Sequence, residues 1–141
     1  MSVDLHAIPH RDPFLLIDEV VTAEDNRLVT RRYVDPSWDV FRGHYPERPV
    51  LPGVFICESC FQTGALLIAH RLGAYGTDAG VPVLTRIQDA RFKRMVTPGQ
   101  TLMIEVTLDE ELGGAYYFTG RVTVDDDPVL RVTFACMMAE G

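Results

Sequence analysis

The sequence has 141 residues, 47% of them hydrophobic and 23% charged. These proportions describe one globular domain, over 1–141, whose core is large enough to fold without disulfides or metal. A formal net charge of −7 argues against a nucleic-acid partner, and three cysteines are too few for a disulfide framework.

The first residues, MSVDLHAIPHRDP, carry no basic run followed by an apolar one, so no secretory signal is expected. The cytoplasm is the expected location. Phe14 to Ile17 lead into Val20-Val21; after the turn-like Glu24-Asp25-Asn26, Arg27 to Val34 read as a strand, giving a hairpin. A polar, aromatic loop, DPSWDVFRGHYPERPVLPG, covers Asp35 to Gly53. A helix is predicted from about Pro52 to Leu72, with proline at its start and Gly73 past its end. It is apolar on nearly every side, so it is expected to be buried. Pro52, Gly53, Glu58 and Gln62 break its apolar run, which is not read as a membrane span.

From Val81 onward the pattern is strands. Leu102, Ile104, Val106 and Leu108 alternate with Met103, Glu105, Thr107 and Asp109, Gly113-Gly114 signals a hairpin, and Tyr116, Phe118, Val122 and Val124 follow. A turn is expected at Asp125-Asp126-Asp127-Pro128, before a last strand with Leu130, Val132, Phe134, Cys136 and Met138 on one face. The fold class is α+β: one long buried helix wrapped by a curved antiparallel sheet of about five or six strands.

Three positions stand out chemically. Glu58 is a carboxylate on the buried helix, costly unless partnered, and Gln62 four residues on can orient it. The pair is either a core hydrogen bond or part of a site. His44 lies in Gly43-His44-Tyr45-Pro46, a loop that Pro46, Pro49 and Pro52 stiffen; alone it is an ordinary loop histidine. Gly53 and Val54 open the helix, where free N–H groups suit a developing oxyanion, although Gly53 could simply permit a tight turn. Cys57 and Cys60 form C-x-x-C without a second pair and read as buried thiols rather than a zinc or redox site. His6, His10 and His70 have no metal-ligand spacing.

Several blocks resemble the bacterial (3R)-hydroxyacyl-[acyl-carrier-protein] dehydratase family. Ile8 to Asp18 (IPHRDPFLLID) resemble its opening. Gly43 to Pro46, Arg48-Pro49, Leu51 to Val54, Glu58 and Gln62 resemble its active-site block. Asp89 to Arg94, with Pro98-Gly99, resemble its central strand. The resemblance covers nearly the whole chain. It implies a hot-dog fold, a homodimer or trimer of dimers, no cofactor, and acyl carrier protein as partner. It also implies that His44 from one subunit meets Glu58 from the other, and glutamate rather than aspartate there favours a dehydratase without isomerase activity.

The chemistry implied is dehydration to a trans-2-enoyl thioester. His44 takes the α-proton, Glu58 or a water it orients protonates the leaving hydroxide, and the N–H at Gly53 or Val54 stabilises the thioester oxygen. Arg91, Lys93 and Arg94 are candidates for docking the acidic carrier, a local basic patch being needed on an acidic enzyme; the alternative is a solvated strand. Glu47 and Arg86 depart from the small residues usual in the family, and Asp35 to Phe41 is slightly long, which bears on acyl length. Two other readings stay open: a hot-dog thioesterase, which would release a free thiol, and a non-catalytic acyl- or carrier-binding protein.

Overall fold

The computed structural model describes residues 3–73 and 80–139. The first hairpin forms where the apolar runs and the polar turn place it: β1 (Glu19–Ala23) pairs antiparallel with β2 (Arg27–Tyr33). The long loop after β2 contains a short helix, α1 (Val40–Gly43), that its polar composition did not announce. Trp38 supplies the reason. Its ring lies 4.3 Å from the Arg32 guanidinium and stacks on Phe41, so a cation–π pile folds the segment back onto β2.

The central helix, α2, runs Gly53–Leu72, and Gly73 closes it in a left-handed cap whose N–H donates to the His70 carbonyl. Four strands follow: β3 (Val81–Phe92), β4 (Thr101–Leu112), β5 (Ala115–Val124) and β6 (Asp127–Ala139). They join the hairpin in one antiparallel six-stranded sheet of order β1-β2-β4-β5-β6-β3. The expected turn at Asp125 to Pro128 is tighter than its composition suggested. Asp125 and Asp126 alone turn the chain, at φ 50° and 67°, while Asp127 and Pro128 already open β6. Pro128 is accommodated because a register shift between Val122 and Thr123 interrupts the ladder opposite it.

The sheet curls around α2, which packs on β2 through β6. On β4, Leu102, Ile104, Val106 and Leu108 are buried, as the alternation requires. Helix and sheet approach closely at Gly120, where a β-carbon would stand 3.0 Å from the Cys60 sulfur.

Two regions of the described chain remain open. The start of α2 is not buried all round as expected: Val54 is 71% exposed, and Phe55 and Glu58 are half-buried. Of the sheet, the end of β3 reaches this first turn with Phe92, and beside it the turn looks into a groove. Every residue of β3 from Val83 to Phe92 is exposed as well, because among the described residues β3 pairs only with β6 and its other edge is free.

Candidate active site

His44 closes the C-terminus of α1, and its Nδ1 lies 2.8 Å from the Val50 carbonyl. A carbonyl can only accept, so Nδ1 carries the hydrogen, and in the neutral ring that leaves the lone pair on Nε2. The loop is pinned on both sides of this contact. The Arg48 N–H donates to the Tyr45 carbonyl at 2.9 Å, and the Leu51 N–H donates to the Val96 carbonyl at 2.8 Å. The sequence alone offered a stiff loop; the structure adds a fixed tautomer.

His44 opens on a groove of about 640 Å³ lined also by Gly53, Val54, Phe92, Lys93 and Arg94. The first N–H groups of α2 have no acceptor within the helix, and the N-cap residue, Pro52, has no side-chain acceptor to cap them. The Gly53 and Val54 N–H groups are therefore donors at the edge of the groove, reinforced by the helix dipole. Gly53 has a packing reason too. A β-carbon there would lie 2.7 Å from the Phe92 ring, so glycine lets the ring close over the helix start.

Glu58 does not line this groove. It lies one turn further along α2, with its side chain 22% exposed rather than sealed in the core. Gln62, fully buried, donates from Nε2 to Glu58 Oε2 at 3.0 Å and to the Phe14 carbonyl at 2.8 Å, while its Oε1 accepts from the Leu16 N–H at 2.8 Å. Ser59 adds a hydrogen bond to the Leu16 carbonyl at 3.0 Å. The segment Phe14 to Leu16 is thus laced to α2 by side chains, and the same lacing fixes how Gln62 meets Glu58. The i, i+4 spacing indicated this pair from the sequence.

The N-terminal segment brings a residue passed over earlier. His10 Nε2 lies 3.6 Å from Glu58 Oε2. Burial lowers the His10 pKa below its ordinary value, the Glu58 carboxylate opposes that, and Arg11 adds to the lowering. Its only signal in the sequence was its place inside the Ile8 to Asp18 block.

The basic candidates separate. β3 ends at Phe92, so Arg91 lies on the strand and Lys93 just past its end, where the Lys93 N–H donates to the Val129 carbonyl at 2.7 Å. Arg91 is engaged by Asp89 at 2.8 Å and Arg94 by Asp127 at 2.9 Å. Lys93 is exposed and lines the His44 groove with Arg94. Arg86 is exposed on β3 and Glu47 in the loop; neither lines that groove. Cys57 and Cys60 are free, buried thiols. Burial pushes both upward, and Cys136 to about 12, so none offers a thiolate at neutral pH.

A family model described as a FabA-like domain matches residues 8–133. The 3-hydroxyacyl-[acyl-carrier-protein] dehydratase FabZ of Verminephrobacter eiseniae is 38% identical over 141 residues, covering 96% of this chain and 94% of the relative. The same-named protein of Rickettsia massiliae is 37% identical over 134 residues, covering 94% and 91%. Among solved structures, the dehydratase heterocomplex ApeI:P from Xenorhabdus doucetiae superposes with a TM-score of 0.80 at 18% identity, covering 99% of this chain and 92% of that one. A hypothetical thioesterase with coenzyme A from Streptococcus pneumoniae gives 0.68 at 14% identity, covering 86% and 85%. The architecture is the hot-dog fold that these structures share, and at such identities they speak to fold alone.

Proposed function

The chain belongs to the FabA-like domain family and is a hydro-lyase that dehydrates 3-hydroxyacyl chains on acyl carrier protein in fatty-acid biosynthesis, and on that premise we propose that His44 of one subunit and Glu58 of its partner carry the reaction. The observation that carries this reading is the His44 groove, with a bare Nε2, uncapped helix N–H groups and a basic rim together.

His44 Nε2 takes the proton from the carbon next to the thioester carbonyl. Electron density moves toward the thioester oxygen, which the Gly53 and Val54 N–H groups receive. Glu58, directly or through a water, protonates the hydroxyl on the next carbon. The carbon–oxygen bond breaks, a double bond forms, and water leaves. His44 ends with one extra proton and Glu58 with one fewer, so the pair is reset by net transfer between them or through solvent.

One subunit offers His44 without Glu58 in the same groove, and this favours a shared site. The free edge of β3 is the surface for a second copy. It is long, its backbone is unpaired on one side, and Val83, Ile87 and Phe92 are 43%, 53% and 50% exposed. A two-fold homodimer pairing β3 with its equivalent would cover these residues, and the trimer of dimers would stack three such units. Lys93 and Arg94, with Arg91 nearby, would meet the acidic carrier at the groove mouth. The helix apolar enough to cross a membrane, Gly53–Leu72, is the buried core helix, and the cytoplasm is the proposed location.

Mass spectrometry of a short 3-hydroxyacyl-carrier substrate tests the assignment. Wild type is expected to lose one water mass, and His44→Ala and Glu58→Gln, both folded, to slow turnover by at least about a hundredfold. Wild-type turnover in either variant would remove that residue from the chemistry. Release of free thiol would mark a thioesterase instead.

A further inference from the structure

The acidic end of the site contains more than Glu58 and Gln62. His10 reaches it from the N-terminal segment, next to Pro9, and its ring lies against Phe14 with centroids 6.1 Å apart. Its Nε2 faces Oε2 of Glu58 at 3.6 Å, the same oxygen that accepts from Gln62 at 3.0 Å. That separation is longer than a direct hydrogen bond but within reach of a charge interaction, and such contacts tighten when substrate closes a site. Among the described residues, His10 Nδ1 is buried without a partner. With nothing to bind Nδ1, the favoured tautomer places the hydrogen on Nε2, toward the carboxylate. The other charges acting on the imidazole are few. Arg11, on the same segment, is tied back through its NH1 to the Ile8 and His10 carbonyls. The Cys57 and Cys136 thiols beside Glu58 are kept neutral by burial.

We propose that His10 is a positioning residue for Glu58, holding Oε2 from one side as Gln62 holds it from the other, so that Oε1 is presented to the departing hydroxyl. This rests on the reading of Glu58 as the acid. A merely structural His10 would support folding and leave turnover per folded site unchanged. A positioning His10 acts on kcat and can be replaced by a neutral donor at the same place. Glutamine provides one, its Nε2 standing where the imidazole Nε2 stands.

Steady-state kinetics of wild type, His10→Phe and His10→Gln separate these roles, with melting temperature as the check on folding. Phenylalanine keeps the ring against Phe14 and removes the donor. The expected result is a kcat about tenfold lower in His10→Phe with KM within about twofold, and a kcat in His10→Gln within about threefold of wild type. Unchanged kcat in His10→Phe, an equal fall in both variants, or a loss confined to KM would overturn the proposal. If His10→Phe fails to fold, the His10 imidazole titration by NMR in wild type and Glu58→Gln decides. Its midpoint falls when the facing carboxylate is neutralised, and an unmoved midpoint overturns the proposal. Wild-type turnover in Glu58→Gln would instead remove the premise, whatever the His10 variants do.

Discussion

Gln62 shows how one side chain can serve fold and site together. It satisfies a backbone donor and a backbone acceptor of the N-terminal segment and holds Glu58 with the same amide. Replacing it with leucine strands the Leu16 N–H in a buried place and the Phe14 carbonyl in a partly buried one. We expect Gln62→Leu to cost about 2–4 kcal/mol in urea unfolding, with turnover per folded molecule also reduced; a loss below about 0.5 kcal/mol would contradict the structural half of this account. His10 adds a pH dependence. Burial lowers its folded-state pKa below 6.5, so as pH falls through 6.5 the unfolded chain takes the proton first. Its stabilising contribution is complete above that pH and declines below it. His10→Gln should flatten this acid-side decline in the urea midpoint, and an unchanged slope would contradict it. Glu58 and Gln62 were legible in the sequence because a helix repeats every 3.6 residues and puts i and i+4 together. His10 was not, since it lies 48 positions before Glu58 and no periodicity links a loop to a helix.

The elements themselves were largely legible. Proline and glycine bounded α2 within a residue, and alternation marked the buried face of β4. The bulges at Leu84/Arg86 and Gln88/Arg91 were not, because an extra residue in a ladder leaves the local composition unchanged. Four-residue α1 was too short for a periodic signal and depends on Trp38 meeting Arg32. At the contact between α2 and β5, Gly120→Ala would press a methyl group to 3.0 Å from the Cys60 sulfur and 3.2 Å from its β-carbon. Both elements are held by the rest of the core, so relief is limited. We expect about 1–3 kcal/mol of destabilisation by denaturant unfolding, and neutrality would mean that helix and sheet separate more easily than this packing implies.

At the scale of the molecule, one chain leaves two places open among the described residues, the exposed start of α2 and the outer edge of β3. The opening block, the His44 to Gln62 block and the central strand carried the family resemblance in the sequence, and with it the fold and the dehydratase chemistry. How the proposed site would draw on two copies was not legible from patterning, because an interface between copies leaves no period in one chain. If β3 is the dimer edge, Val83→Asp with Ile87→Asp places charge on a surface that must be covered. Sedimentation should then show monomers, and turnover should fall with the loss of dimers. A dimer as stable as wild type would move the interface elsewhere.

The shared site is tested most directly by mixing lesions. His44→Ala and Glu58→Gln subunits, carrying different tags and co-expressed, yield mixed dimers that two affinity steps isolate. If each site takes His44 from one subunit and Glu58 from the other, every mixed dimer keeps one intact pair. Its turnover should reach about half that of wild type, far above either parent. Mixed dimers no more active than their parents would contradict a site shared between subunits.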